Sequence, residues 1–184
     1  MLKGDNKFEN HGVNLELQQI ISKLALNKNI FKDLLNAIDT LQINWRPAPE
    51  KWSFLEVACH LLDEEREDFR QRIDFMLHKQ GEKWPPIDPQ GWVRSRDYSG
   101  QDFEKTVKTF FNERQKSIDW LKGLNKPAWE NSYQHPEAGK LTAKQMLANW
   151  LAHDYLHIRQ LNRMNYLYLK EISQPLSLDY AGDW

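Results

Sequence analysis

Apolar side chains recur with a helical period in four long stretches of the chain, and proline-rich or polar segments separate them. From Asn14 to about Thr40 the recurring positions are Leu17, Ile21, Leu24, Phe31, Leu34, Leu35 and Ile38, with Leu41 just beyond and no Pro or Gly between them, which predicts a first helix. Trp45 to Trp52 carries Pro47 and Pro49 and must be a connection, because proline removes a backbone donor and pushes its predecessor toward extended conformations. Ser53 and Glu56 then stand at capping-box spacing, so a second helix is predicted from Ser53 to about Lys79.

Gly81 to Gly100 holds Pro85, Pro86 and Pro89 and reads as a long loop without regular helix, packed through Trp84, Ile87, Trp92 and Val93. Phe103, Val107, Phe110, Phe111, Ile118, Trp120 and Leu121 predict a third helix over Gln101 to Leu124, with Asp102 and Glu104 favouring its N-terminal dipole. After a loop with Pro127, Pro136 and Gly139, Thr142 and Gln145 repeat the capping-box spacing and open a fourth helix to about Leu169. Four long helices and no strand predict an all-α four-helix bundle with a long loop between helices two and three. The expectation is one domain over residues 1–184, with irregular termini at 1–12 and 174–184. Both long loops have length enough for a crossover, so spacing leaves the bundle topology open.

Composition narrows the functions. With 25 basic and 26 acidic residues the net charge is -1, which gives no positive field for nucleic acid, so no nucleic-acid partner is expected. No apolar run approaches the ~20 residues of a membrane span, and the N-terminus lacks the order of a signal peptide, so no membrane partner and a cytoplasmic location are expected. One cysteine, Cys59, excludes an intrachain disulfide and a cysteine-based zinc knuckle. Any metal must rest on histidines and carboxylates.

His153 and His157 lie one turn apart on the fourth helix, on the face of Met146, Trp150, Leu161 and Met164, so both imidazoles face the bundle interior. Such a pair is a weak metal signal by itself and more often marks histidines placed by chance or for packing. His60 is the one other histidine in the interior half of a predicted helix, yet it falls opposite the stripe of Leu62, Phe69 and Ile73. The first turns of helix two are apolar all round, which predicts cover on more than one side, by the bundle and by a second subunit in a homodimer. His11, His78 and His135 stand in polar or terminal segments and read as solvated.

Trp45-Arg46-Pro47 through Lys51-Trp52-Ser53, then Glu56-Val57-Ala58-Cys59-His60-Leu61-Leu62-Asp63-Glu64-Glu65, and finally His153-Asp154-Tyr155-Leu156-His157-Ile158-Arg159-Gln160 resemble the DinB-like (YfiT-like) metal-dependent family. That resemblance implies a four-helix bundle, often homodimeric, with one divalent ion per chain held by His60, His153 and His157. It implies nickel or zinc ahead of iron, manganese or cobalt. Imidazoles suit such ions, copper included, better than magnesium or calcium, and three protein ligands leave a coordination position open unless Asp63, Glu64 or Asp154 closes it. The related activities are thiol S-transfer with bacillithiol, mycothiol or glutathione, a mycothiol-dependent maleylpyruvate isomerisation and hydrolysis. A small-molecule substrate and a low-molecular-weight thiol are therefore expected. The alternative is a non-catalytic metal-binding or stress-related interaction protein.

Around the histidines, Asp63 and Gln160 are expected to orient imidazoles and Glu64 to offer a base. Arg66, Arg70 and Arg72 read as a salt-bridged helix face, Cys59 as a small buried hydrophobe, and Trp84, Trp92 and Trp129 as either a pocket roof or packing.

Overall fold

In the computed structural model, which describes residues 13–182 and 184, six α-helices and one hairpin account for the regular structure. Helix α1 spans Val13–Asn36; the second long helix is built from α2 (Phe54–Glu64), a π-helical turn (Glu65–Phe69) and α3 (Arg70–His78). Helix α5 spans Phe103–Gly123 and α6 spans Ala143–Ile172. The first helix stops near Asn36, and Leu41 is 79% exposed beyond it, because Asp39 and Gln42 close turns there. Both capping boxes form: Ser53 accepts from the Glu56 amide while Glu56 accepts from the Ser53 amide, and Thr142 and Gln145 do the same. Replacing Ser53 with alanine strands a buried donor at this helix start and is expected to cost about 1 kcal/mol, read by chemical denaturation.

Two segments depart from the sequence expectation. The loop between the second and third long helices contains a short helix, α4 (Pro89–Ser95), where Pro89 takes the first helical position and Asp88 caps by accepting from the Gly91 amide. A helix starting on a proline is cheap, since the missing donor would be unpaired there anyway. A 3-10 turn, Tyr98–Gly100, follows it. The loop before α6 pairs β1 (Ser132–His135) with β2 (Gly139–Thr142) antiparallel, His135 opposite Gly139, where the predicted bundle had no strand. Residues 1–12, including His11, lie outside the described residues, and the C-terminal tail carries one 3-10 turn at Asp179–Ala181.

The four long helices pack in a ring: α1 lies against α5 and α6, and the second long helix also lies against α5 and α6. The first and second are therefore diagonal, and so are the third and fourth, which differs from a simple up-and-down order. Two apolar clusters fill the ring. One gathers Leu24, Phe69, Ile73, Met146 and Trp150; the other gathers Phe31, Phe54, Leu61, Phe110 and Leu161. The all-round burial of α2 has its second cover within this chain: Leu55 and Cys59 pack against Trp92 of α4 and Tyr98. That cover removes the reason the apolar turns gave for a second subunit. No helix among the described residues is long and apolar enough to cross a membrane.

The π-turn alters the face that the second long helix presents. Phe69 follows His60 by nine positions, which in an unbroken α-helix sets them about 180° apart. One extra residue in the turn takes back about 100°, leaving roughly 80° between them. The predicted stripe of Leu62, Phe69 and Ile73 is thereby split: Phe69 and Ile73 are buried, Leu62 only partly, and Leu61 takes the core position before the turn.

Candidate metal centre

The same rotation lets His60 and Phe69 approach one partner face. His60 from α2 meets His157 from α6 with 3.2 Å between their Nε2 atoms, and His157 Nε2 lies 3.1 Å from His153 Nε2. One ligand atom from each of the three lies within 4.8 Å of the others. Phe69 packs on His153 at 5.0 Å and Trp52 on His60 at 4.8 Å between ring centroids. Three imidazole nitrogens binding one ion at about 2.0–2.1 Å stand roughly 3.0–3.4 Å apart, and the two separations from His157 Nε2 fall within that range.

The electrostatics point the same way. Burial, with repulsion from His157, pushes His60 down to about 3. Burial, then His157 and His60, pushes His153 down to about 2, and burial also lowers His157. All three are held neutral, with lone pairs available. Gln160 settles the tautomer of His157: its Oε1 lies 2.8 Å from Nδ1, which therefore donates, leaving Nε2 as the acceptor aimed at the other two histidines. Gln160→Ala is expected to weaken divalent-metal affinity by roughly 10- to 100-fold with little change in helix content, read by chelator competition.

The neighbouring carboxylates divide sharply. Asp63 does not orient an imidazole: it accepts from Tyr98 Oη at 2.7 Å and pairs with Arg66 and Arg96. Asp154 is fully buried and accepts both Arg114 terminal nitrogens at 2.7 Å, so it is not free to close the centre. Glu64 Oε1 stands 4.0 Å from His60 Nδ1, an otherwise unpartnered buried atom, and burial beside Asp68 pushes its carboxyl up to about 9. Glu64 thus sits behind His60, on the nitrogen turned away from the other two imidazoles. The fourth side of the cluster keeps no protein ligand among the described residues.

The arginine-rich face is salt-bridged as its sequence suggests, Arg66 to Asp63, Arg70 to Glu113 and Arg72 to Asp68. The three loop tryptophans pack elsewhere: Trp92 against α2, Trp84 on Tyr133 and Arg72, and Trp129 on the core cluster of Trp150. The tryptophan that touches the site is Trp52, from the connection before α2. Cys59 is buried and, chiefly through burial, its thiol is pushed up to about 12. His78 pairs with Asp74, and His135 accepts two amides of its hairpin.

A cleft of about 680 Å³ borders the cluster, lined among others by Lys51, Trp52, Gln160, Arg163, Met164 and Leu167. It touches the centre twice, through Trp52 on His60 and Gln160 on His157. A second cleft of about 550 Å³ shares Gln160 and Arg163 and reaches His157 itself, with Arg159 on its rim.

A family model described as the DinB superfamily matches residues 24–161. Among solved structures, YfiT from Bacillus subtilis, described as "a probable metal-dependent hydrolase with an unusual four-helix bundle topology", aligns with a TM-score of 0.73. The alignment covers 90% of this chain and 92% of that one, at 16% identity, a likeness of fold. No curated protein matches the chain.

Proposed function

The chain belongs to the DinB superfamily, and from that premise we propose that it is a metal-dependent enzyme acting on a small molecule at one divalent ion held by His60, His153 and His157. The finer reading is a thiol S-transferase of the bacillithiol type or a related hydrolase, with nickel or zinc as the ion. One observation carries it: His157 Nε2 meets the Nε2 atoms of His60 and His153 at ligand spacing while Asp63 and Asp154 are engaged elsewhere, so substrate has a coordination position. A divalent ion supplies Lewis acidity and a positive charge that favours a thiolate or hydroxide over its conjugate acid.

The chain's own groups supply the rest. Gln160 holds the lone pair of His157 toward the centre. Trp52 shields His60 from water and forms an aromatic wall of the larger cleft, whose volume suits a small organic ligand. Lys51 and Arg163, against Glu50, leave that lining with a net positive charge, favouring a substrate with an anionic group.

Protein purified without a nickel column, and assayed beside the His60→Ala/His153→Ala/His157→Ala variant, tests this reading. Elemental analysis is expected to give about one ion per wild-type chain and none in the variant. A panel of thiols with model electrophiles, and of esters and amides, is expected to show turnover that chelation abolishes. Equal metal in both proteins would sink the centre; turnover no better than the variant across both panels would sink the enzyme.

A second reading, a non-catalytic protein whose ion clamps α2 to α6, draws on the way His60 and His157 face each other across two helices. It expects a large loss of thermal stability on chelation and no exchangeable water at the ion. A single exchangeable water there excludes it.

A further inference from the structure

Between the two apolar clusters lies a buried polar layer with one member from each long helix. Asn27 comes from α1, Glu65 from the π-turn, Arg114 from α5 and Asp154 from α6. Arg114 is 2% exposed and Asp154 fully buried. The guanidinium donates through both terminal nitrogens to the two Asp154 oxygens at 2.7 Å and through Nε to Glu65 at 2.8 Å. Asn27 donates to Asp154 at 3.1 Å. Burial works against the Arg114 charge, but Glu65 and Asp154 outweigh it and hold its pKa above the ordinary value.

Stability does not account for this layer. Taking charges out of water is costly, and well-packed apolar side chains of similar volume commonly serve as well or better. What such a cluster provides that apolar packing does not is direction, since a planar guanidinium meets a carboxylate in two parallel hydrogen bonds at one orientation. Here that direction reaches the histidines. Asp154 adjoins His153, one turn before His157, and Glu65 belongs to the π-turn that swings Phe69 onto His153.

We propose that Arg114 is a positioning residue for the three-histidine centre: by gripping Asp154 and Glu65 at once, it fixes the spacing between His60 and the His153/His157 pair. The arginine bridges the diagonal of the helix ring, where α5 and α6 have little direct contact, and ties that diagonal to the one turn of the second helix with an irregular phase. The inference rests on the metal reading above, and its test separates the two.

Co²⁺ affinity by chelator competition and the visible Co²⁺ spectrum would be measured for wild type, His153→Ala, Arg114→Lys and the triple variant Arg114→Met/Asp154→Asn/Glu65→Gln. Removing the charges together leaves no stranded ion, so the triple variant is expected to keep wild-type helix content. Its Co²⁺ affinity is expected to fall roughly 10- to 100-fold, as for loss of a ligand-orienting partner, with a shifted spectrum. Wild-type affinity and spectrum in the folded triple variant would overturn the proposal. Should the triple variant not fold, Arg114→Lys decides: it keeps the charge and loses the fork, so weaker affinity is expected and unchanged affinity overturns the claim. Should wild type take no Co²⁺, the metal reading fails, and the positioning claim is read from spin labels at Leu62→Cys and Ala152→Cys in a Cys59→Ala background. A narrow distance distribution that broadens in Arg114→Lys supports it, and an unchanged one ends it.

Discussion

Replacing His157 with alanine is expected to cost the protein its divalent ion more completely than replacing His60 or His153. His157 Nε2 is the atom shared by both short contacts, at 3.2 Å to His60 and 3.1 Å to His153, and its tautomer is the one fixed by Gln160. Without it, two imidazoles on different helices remain, and two ligands hold an ion far less firmly than three. The loss should exceed the roughly 100-fold associated with an orienting partner outside the ligand set. Chelator competition on the three single variants checks the ranking. An affinity for His157→Ala within tenfold of wild type would contradict the geometry, and so would a larger loss in His60→Ala.

The second large effect belongs to stability. Arg114→Met as a single change is expected to destabilise the fold by about 3–5 kcal/mol, because Asp154 and Glu65 remain buried without their positive partner. For a chain of this length each kcal/mol lowers the melting temperature by about 2–4 °C, so a fall on the order of 10 °C is expected. Adding Asp154→Asn and Glu65→Gln should restore most of it, since the cost arises from stranded charge more than from lost contacts. A thermal melt in which the single variant matches wild type would show that water reaches the layer. Equal melts for single and triple variants would show that packing of the guanidinium stem decides the loss.

Both effects turn on residues that the chain advertises unequally. His153 and His157 are legible because one straight helix fixes their relation: four positions on a 3.6-residue period always share a face, and Met146, Trp150, Leu161 and Met164 identify that face as interior. Gln160 is legible for the same reason, one turn from His157. Asp63 shows the limit of such reasoning, since its spacing from His60 suggests a partnership that Tyr98 and Arg96, from a distant segment, pre-empt. His60 was out of phase with its own helix because sequence periodicity assumes an unbroken 3.6-residue repeat, and the π-turn at Glu65–Phe69 breaks it. The signal for the buried layer was present but easily read as surface. Asn27, Arg114 and Asp154 occupy core-phase positions between Leu24 and Phe31, Phe110 and Ile118, and Trp150 and Leu161. A polar side chain in an apolar register marks either an error of register or a buried network, and only the partners distinguish them.

By itself the sequence determined the four long helices, their caps and the inward pair on the last of them, because these depend on local spacing and on hydrogen bonds within a few residues. The tertiary structure decided the ring order of the helices, the α4 cover over α2, the rephasing that turns His60 toward His157, and the carboxylates withdrawn from the centre by Arg114 and Tyr98. Each of these depends on which groups meet across long stretches of chain. The helical period constrains neighbours one turn away and says nothing about partners a hundred residues distant.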